Sequence, residues 1–140
     1  MEAALAEARA ALDHGDVPVG AVVVHHGEVV GRGHNRREVD RDPTAHAEVL
    51  ALRQAAARLG RWRLDECALY ATIEPCAMCA GAAQQARVYL IVYGAPDEKA
   101  GAVRSLYELA DDPRLNHRAK VRAGPRRAEI EALMRRTFGR

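Results

Sequence analysis

The chain has 140 residues, of which 49% are hydrophobic and 29% are charged, proportions typical of a folded globular domain. This composition excludes the disordered and collagen-like classes, and the length predicts a single domain over residues 1–140. No apolar run approaches the ~20 residues that a membrane-spanning helix needs, and Met1 leads directly into Glu2 without a basic leader. We therefore expect a cytoplasmic protein that is not embedded in a membrane.

The formal net charge of +2 conceals an uneven distribution along the chain. Residues 114–140 hold nine Arg or Lys against two Glu, a net of +7, which leaves −5 for the remainder. A basic end of this kind is typical of a nucleic-acid site, because cationic side chains supply most of the non-specific affinity for phosphate. A solvated helix face is the commoner origin of such a run, and the charge pattern alone leaves both interpretations open.

Periodicity, turn residues and capping signals predict ten elements in the order α-β-β-α-β-α-β-α-β-α. The predicted helices cover residues 2–13, 42–58, 74–86, 104–110 and the segment from 125 onward. The predicted strands cover residues 17–25, 28–33, 67–73, 88–93 and 119–122. Asp42 is the predicted cap of the second helix, with Pro43 at its first position. The alternation predicts a sheet with helices on both faces, and the hairpin of the first two strands makes that sheet mixed.

The three cysteines predict metal or redox chemistry rather than a disulfide framework. Their number is odd, and only two residues separate Cys76 from Cys79. On a helix these two side chains share one face, and the positive end of the helix dipole favours their thiolate forms. Cys67 lies within a predicted strand, where we expect it to act as a small hydrophobic residue.

A second motif, His46-Ala47-Glu48, lies near the start of the second predicted helix. His46 can join the two cysteines as a third ligand, and a Cys₂His set with an open fourth position is typical of catalytic zinc. Zinc lowers the pKa of bound water toward ~7, and the carboxylate of Glu48 can carry the released proton. Taken separately, Cys-x-x-Cys also fits redox chemistry or structural zinc, and His-x-Glu also arises by chance. Their combination, with Pro75 directly before the first cysteine, favours a catalytic site.

With these motifs, the sequence resembles the zinc-dependent cytidine deaminase superfamily, whose members carry His-x-Glu and Pro-Cys-x-x-Cys. Within that superfamily it is similar to the bacterial tRNA-specific adenosine deaminase family from about residue 1 to 118, and more weakly through the last helix. The matching segments are residues 16–22, 42–48, 74–82 and 116–118. The resemblance implies an α/β fold of three layers, α/β/α and cytidine-deaminase-like, around a central mixed sheet of five strands.

The resemblance also implies roles for the motif residues. His46, Cys76 and Cys79 are expected to bind one zinc ion per subunit, and Glu48 is expected to shuttle protons. The implied reaction is hydrolytic deamination of adenosine to inosine, with release of ammonia, at the wobble position of an arginine tRNA anticodon. The implied enzyme is a homodimer whose partner is the tRNA anticodon stem-loop.

Contacts with the base and with the RNA are implied as well. The resemblance gives Asn35 and the backbone of Ala47 the role of holding the adenine, whereas without it Asn35 is equally a loop residue that caps a turn. The loop over 97–105 is expected to shape the RNA entrance, and the basic C-terminal segment to hold flanking phosphates. The residues expected to contact RNA are Asp97, Arg135, Arg136 and Phe138.

Two other functions stay open on the sequence. The zinc motif fits equally a deaminase of a free base or nucleoside, such as cytosine, cytidine or guanine. A non-catalytic alternative is an RNA-binding module that is stabilised by a metal with a closed fourth position. Steep salt dependence would favour an RNA substrate, and loss of turnover with zinc retained in Glu48→Ala would favour an enzyme.

Overall fold

A computed structural model describes residues 1–138, with side chains described as far as Thr137. Within this range one sheet contains five strands: β1 (Gly20–His25), β2 (Glu28–His34), β3 (Cys67–Ile73), β4 (Leu90–Ala95) and β5 (Lys120–Ala123). Their order across the sheet is β2-β1-β3-β4-β5. Strand β1 runs antiparallel to both β2 and β3, whereas β3, β4 and β5 are parallel. The predicted mixed five-stranded sheet is confirmed.

The same part of the chain contains four α-helices: α1 (Glu2–Ala11), α2 (Ala47–Leu59), α3 (Ala77–Ala86) and α4 (Arg127–Phe138). A short 3₁₀ helix, Leu12–His14, follows α1. Alanines of α2 and α3 pack with Leu69 and Ile91 of the sheet in one hydrophobic cluster. Leu5 of α1 packs with Ile130 and Leu133 of α4 in another. The helices thus form two layers around the sheet, as the three-layer α/β/α prediction requires. None of the helices described here is long and apolar enough to cross a lipid bilayer.

The predicted helix over 104–110 is wrong, because turns occupy residues 102–105 and no helix follows them as far as residue 110. The backbone N–H groups of Val103, Arg104 and Ser105 all donate to the carboxylate of Glu74, at 3.2, 2.8 and 2.8 Å. This partner lies about 30 positions earlier in the chain, so a local sequence pattern cannot reveal it. The remaining element boundaries, apart from the start of α2, differ from the prediction by at most three residues.

Helix α2 begins at Ala47, five residues later than the predicted cap at Asp42. Oδ1 of Asp42 instead accepts hydrogen bonds from the backbone N–H and the hydroxyl of Thr44, at 2.8 and 2.7 Å, which forms a local turn. His46 precedes the helix with an extended backbone, φ −81° and ψ 152°. The correction places His46 at the helix N-terminus and Glu48 in the first helical turn.

Close packing of β2 against α2 fixes the start of that helix. A Cβ atom on Gly33 would lie 2.6 Å from the carbonyl oxygen of Ala47 and 2.9 Å from Cβ of Leu50. Only glycine permits this approach, so β2 and the first turn of α2 meet at backbone distance. As a result, the residues that begin α2 lie at the end of the sheet where β1 begins and β3 ends.

Candidate active site

A cavity of about 210 Å³ opens at this end of the sheet. His46, Glu48 and Cys76 line it, together with residues of the β3–α3 connection and of the loops that precede β1 and follow β2. Cys79 does not line the cavity and is fully buried. Two segments far apart in sequence, the start of α2 and the start of α3, therefore contribute to one site.

Three potential metal ligands meet beside the cavity. Nδ1 of His46 lies 3.6 Å from Sγ of Cys76 and 3.5 Å from Sγ of Cys79, and the three ligand atoms lie within 4.8 Å of one another. A tetrahedral zinc ion, with bonds of about 2.3 Å to sulfur and about 2.0 Å to nitrogen, would set the sulfur-to-nitrogen distance at about 3.6 Å. The spacing and the soft donor set therefore fit a zinc ion.

Two helix N-termini present these ligands. His46 and Cys76 each precede a helix, and Cys79 lies in the first turn of α3. Hydrogen bonds from Cys79 lower the pKa of the Cys76 thiol to about 3, and the neighbouring His46 contributes in the same direction. The hydrogen bond to Cys76, together with burial, raises the pKa of Cys79. The pair therefore carries one negative charge easily and a second only beside a cation.

Glu48 lies two residues after His46, in the first turn of α2. Only 4% of its surface is exposed, and it lines the same cavity as His46 and Cys76. Burial raises the pKa of its carboxyl to about 7. A carboxyl that changes charge near neutral pH beside a cavity is suited to accept a proton and to return it.

Asn35 and Ala47, the two residues predicted to hold the base, both line the cavity. Oδ1 of Asn35 accepts a hydrogen bond from the backbone N–H of Arg37 at 3.0 Å, so this side chain also caps a turn. Both interpretations that the sequence left open for Asn35 thus have a geometric basis. Ala47 is the first residue of α2, and its backbone N–H is therefore one that the helix itself does not use.

Glu74 is a buried carboxylate at the cavity to which the sequence analysis assigned no role. It accepts hydrogen bonds from the backbone N–H groups of Asp97, Val103, Arg104 and Ser105, and from the hydroxyl of Ser105. Burial acts to raise its pKa, but these donors outweigh burial and lower it. Glu74 thereby fixes the loop over 97–105 against the segment that precedes α3. Its position directly before Pro-Cys is the only sign of this role in the sequence.

Asp16 holds the loop on the other side of the cavity, a role that the sequence pattern did not indicate either. Its two carboxylate oxygens accept hydrogen bonds from the backbone N–H groups of Glu38 and Val39, at 2.7 and 3.2 Å. Nδ1 of His14 lies 2.8 Å from the same carboxylate. Although burial acts to raise the pKa of Asp16, these hydrogen bonds lower it. The loop over 35–41, which lines part of the cavity, is therefore tied to the segment before β1.

The four residues predicted to contact RNA lie in different places. Asp97 lines the cavity and also an adjoining cleft of about 500 Å³, which Arg135 lines as well. Arg136 is exposed on α4 and lines neither the cavity nor the cleft. The side chain of Phe138 lies outside the described residues. Asp97 and Arg135 are thus the two of the four that the structure brings to one surface.

Part of the basic C-terminal charge is already neutralised within the chain. Arg114 pairs with Asp112 at 2.7 Å, and Arg127 pairs with Glu131 at 3.0 Å. These exposed pairs are what a solvated face provides, so that interpretation accounts for a portion of the basic run. Arg127 and Glu131 line the cleft together with Arg135, so one of these pairs lies at that surface.

Comparison with known proteins identifies the class of protein that this fold and site define. Residues 1–137 match the MafB19-like deaminase family. A tRNA-specific adenosine deaminase of Streptococcus pyogenes serotype M1 is 44% identical over 138 residues, which cover 99% of this chain and 81% of that protein.

Solved structures agree with this similarity. One, from a study of A-to-I editing by tRNA:A34 deaminases at the wobble position of transfer RNA, has a TM-score of 0.90 and 43% identity, covering 95% of this chain and 96% of that chain. A guanine deaminase from Bacillus subtilis reaches a TM-score of 0.66 at 42% identity, over 68% of this chain and 61% of that chain. The chain belongs to the tRNA-specific adenosine deaminase family within the MafB19-like deaminases.

Proposed function

We propose that this chain, as a single deaminase domain over residues 1–140, hydrolyses adenosine to inosine at the wobble position of a tRNA anticodon. One observation carries the proposal: His46 and Cys76, which provide two of the three clustered ligand atoms, line the same cavity as the buried carboxyl of Glu48. A metal-ligand trio beside a proton carrier is the arrangement that hydrolytic deamination of a base requires. The tRNA-specific relatives supply the substrate class.

His46, Cys76 and Cys79 would hold a zinc ion, which supplies a water molecule acidic enough to react at neutral pH. Glu48 removes a proton from that water and delivers it to N1 of the adenine. Glu48 then takes the remaining proton from the oxygen that becomes bonded to C6 and transfers it to the departing 6-amino group. A bond from C6 to oxygen forms, the bond from C6 to the exocyclic nitrogen breaks, and the products are inosine and ammonia. A pKa near neutrality suits both directions of this proton transfer.

The remaining cavity residues position the base and exclude water. Asn35 and the backbone N–H of Ala47 are the proposed hydrogen-bond partners of the adenine ring. Asp16 and Glu74 are not proposed to touch the substrate, because their oxygens already accept hydrogen bonds from the loops that they hold. These two carboxylates keep both loops at the edge of the cavity before substrate arrives, which lowers the cost of ordering them on binding.

The proposed RNA surface continues from the cavity into the adjoining cleft. Asp97 and Arg135 border that cleft, so nucleotides on either side of the reacting adenosine can reach both. Arg136 and Phe138 are proposed to extend this surface along α4. We propose an arginine tRNA as the substrate and, because the substrate is tRNA, the cytoplasm as the location.

A homodimer is part of the proposal. An apolar groove of about 260 Å³ lies between α2 and α3, and its lining includes Leu52, Trp62 and Leu64. Trp62 is 63% exposed in the single chain. Pairing of two copies through this groove would bury the indole ring and stabilise the two helices that present the metal ligands.

The decisive experiment measures inosine formed on an arginine-tRNA anticodon stem-loop with adenosine at the wobble position. The matched control is the same stem-loop with the adenosine moved by one position, and free adenosine, cytidine and guanine are assayed in parallel. We expect conversion of the wobble substrate alone. Conversion of guanine alone would support hydrolytic deamination but contradict tRNA as the substrate. Similarity to a guanine deaminase makes guanine the relevant alternative.

The RNA surface is tested with Arg135→Glu, which we expect to raise KM for the stem-loop several-fold and to reduce its salt dependence. Arg122→Glu is the matched control, because Arg122 is an exposed basic residue on β5 that does not line the cleft. Equal losses in both variants would contradict the assignment of the cleft to RNA.

A further inference from the structure

The β1–β2 turn and the start of β3 carry a second group of metal-binding side chains, which the proposed function does not use. His25, His26 and Glu66 each offer one ligand atom, and these atoms lie within 4.8 Å of one another. Among residues 1–138, the active-site trio is the only other group of this kind. We propose that His25, His26 and Glu66 form a surface site for a divalent transition-metal ion such as zinc or nickel.

The donor chemistry suits such an ion. Two imidazoles and one carboxylate are ligands that zinc and nickel accept readily. The rings of His25 and His26 stack with centroids 4.0 Å apart and 20° between their planes, so both imidazoles lie on the same side of the turn. Nε2 of His26 lies 2.6 Å from Oε1 of Glu66, and the two side chains are 66% and 67% exposed. A shared zinc ion would hold these two atoms about 3.3 Å apart, a movement of less than about 1 Å.

The backbone holds the three ligands in register. His26 and Gly27 form the two-residue turn between β1 and β2 with φ values of 50° and 79°. Glu66 also adopts a left-handed backbone, with φ 65°. On the neighbouring strand, His25 is paired directly with Cys67, so the end of β1 and the start of β3 are held side by side by the sheet. The ligands thus come from two turns whose spacing the sheet sets.

The charges at the group favour a cation. The hydrogen bond with His26 lowers the pKa of Glu66, so its carboxylate is anionic at neutral pH. This carboxylate brings a negative charge to the group, which complements a divalent ion. Arg61 is the nearby cation that opposes binding, and it acts on Glu66 more weakly than the histidine does.

The site is remote from the cavity and independent of the proposed function. β3 runs from Cys67, next to Glu66, to Ile73 at the cavity, a length of about 20 Å at ~3.3 Å per residue. A bound ion would link the β1–β2 turn to the start of β3. We therefore expect it to stabilise the fold without changing the rate of deamination.

Calorimetric titration of the zinc-loaded protein with nickel tests the proposal. We expect one nickel ion per chain in the wild type and at least tenfold weaker binding in His26→Asn, since asparagine tolerates the left-handed backbone and lacks the imidazole. Glu66→Gln should weaken binding to a smaller extent, because the carboxylate charge is lost. Nickel should raise Tm by several degrees in the wild type and not in His26→Asn.

His14→Ala is the matched control, because His14 and His34 form another imidazole pair, with Nε2 atoms 3.1 Å apart. This variant should bind nickel as the wild type does. Absence of saturable binding in the wild type would overturn the proposal, as would equal binding by His26→Asn. Loss of binding in His14→Ala would place the ion at the other pair and also overturn it.

Discussion

Glu48 and Glu74 are both buried carboxyls at one cavity, and their surroundings shift their pKa values in opposite directions. Their exposed fractions are nearly the same, 4% and 2%. Burial dominates at Glu48 and raises its pKa to about 7. At Glu74, four backbone N–H groups and one hydroxyl outweigh burial and lower the pKa. Hydrogen-bond donors therefore prevail over burial at Glu74, whereas burial prevails at Glu48.

The difference also separates what each carboxyl can do. A carboxylate whose oxygens all accept hydrogen bonds is held in its charged form, and it stabilises whatever supplies the donors. Glu74 is therefore an anion at neutral pH that orders the loop over 97–105. A carboxyl with a raised pKa can take up a proton and release it again at little cost. Glu48 is in this second state, which is the reason for its proposed role as proton carrier.

The comparison predicts the largest loss of activity for Glu48→Gln, which removes the proton acceptor and keeps the shape of the side chain. We expect the rate of inosine formation to fall by about 10²–10⁴-fold, the usual contribution of a general base. Metal content and Tm should stay close to those of the wild type, because the metal ligands are unchanged. Single-turnover assays with metal analysis measure both, and a wild-type rate would remove Glu48 from the chemistry.

Glu74→Gln should produce the opposite result, a loss of stability greater than its direct effect on chemistry. The amide introduces a donor among five existing donors, and hydrogen bonds to a charged acceptor are each worth about 1.5–3 kcal/mol. We expect the free energy of unfolding in urea to fall by about 2–4 kcal/mol, with KM raised more than kcat is lowered. Glu98→Gln is the matched control, an exposed residue of the same loop. If both variants were equally stable, Glu74 would not hold the loop.

Gly101→Ala tests the same contact from the loop side. A Cβ atom at this position would lie 2.3 Å from the carboxyl carbon of Glu74 and 2.5 Å from the carbonyl oxygen of Asp97. Overpacking of this kind costs about 1–3 kcal/mol, which denaturant unfolding can measure. Gly81→Ala is the control, because a Cβ atom on Gly81 would meet no neighbouring atom within 4 Å, and alanine in a helix should stabilise by about 0.5–1 kcal/mol. Equal effects at both glycines would contradict the close contact with Glu74.

The parts of this molecule that the sequence could predict depend on local patterns. Hydrophobic periodicity and turn residues predicted the hairpin of the first two strands and the helices on both faces of the sheet. The three-residue spacing from Cys76 to Cys79 predicted that they share one face at a helix start, and the structure brings His46 to them. Local patterns were sufficient because each depends on residues within a few positions of one another.

The errors arose where a distant partner decides the local structure. In place of the helix predicted over 104–110, the backbone N–H groups of Arg104 and Ser105 donate to Glu74. The N–H of Leu109 donates to the carbonyl oxygen of Ala102, seven residues earlier instead of the four that a helix requires. The loop over 35–41 is set in the same way by Asp16, more than 20 residues earlier. An acidic residue in a sequence predicts exposure by default, since Asp and Glu are almost never fully buried without partners. The partners of both carboxylates become visible only in the folded chain.

Asp16→Asn extends the comparison to a third carboxylate, which resembles Glu74 in its donors and lies far in sequence from the metal ligands. Its pKa is lowered in the folded state, so its stabilising contribution is present above the unfolded value of about 3.9 and is lost as pH falls through the folded value. We expect Asp16→Asn to be less stable than the wild type by about 1–2 kcal/mol at pH 7. The difference should shrink progressively below about pH 4.

Urea unfolding of the wild type and Asp16→Asn at several pH values between 7 and 3 measures this difference directly. Asp13→Asn, an exposed aspartate three residues away, is the control and should show no comparable change. A stability difference that stayed constant with pH would mean that Asp16 acts through shape rather than charge. A difference that shrinks with acidity would mean that Asp16 acts as Glu74 does. In both, hydrogen-bond donors stabilise the ionised carboxylate, and each carboxylate holds one loop of the cavity. Of the three carboxyls, Glu48 alone then stays available for proton transfer.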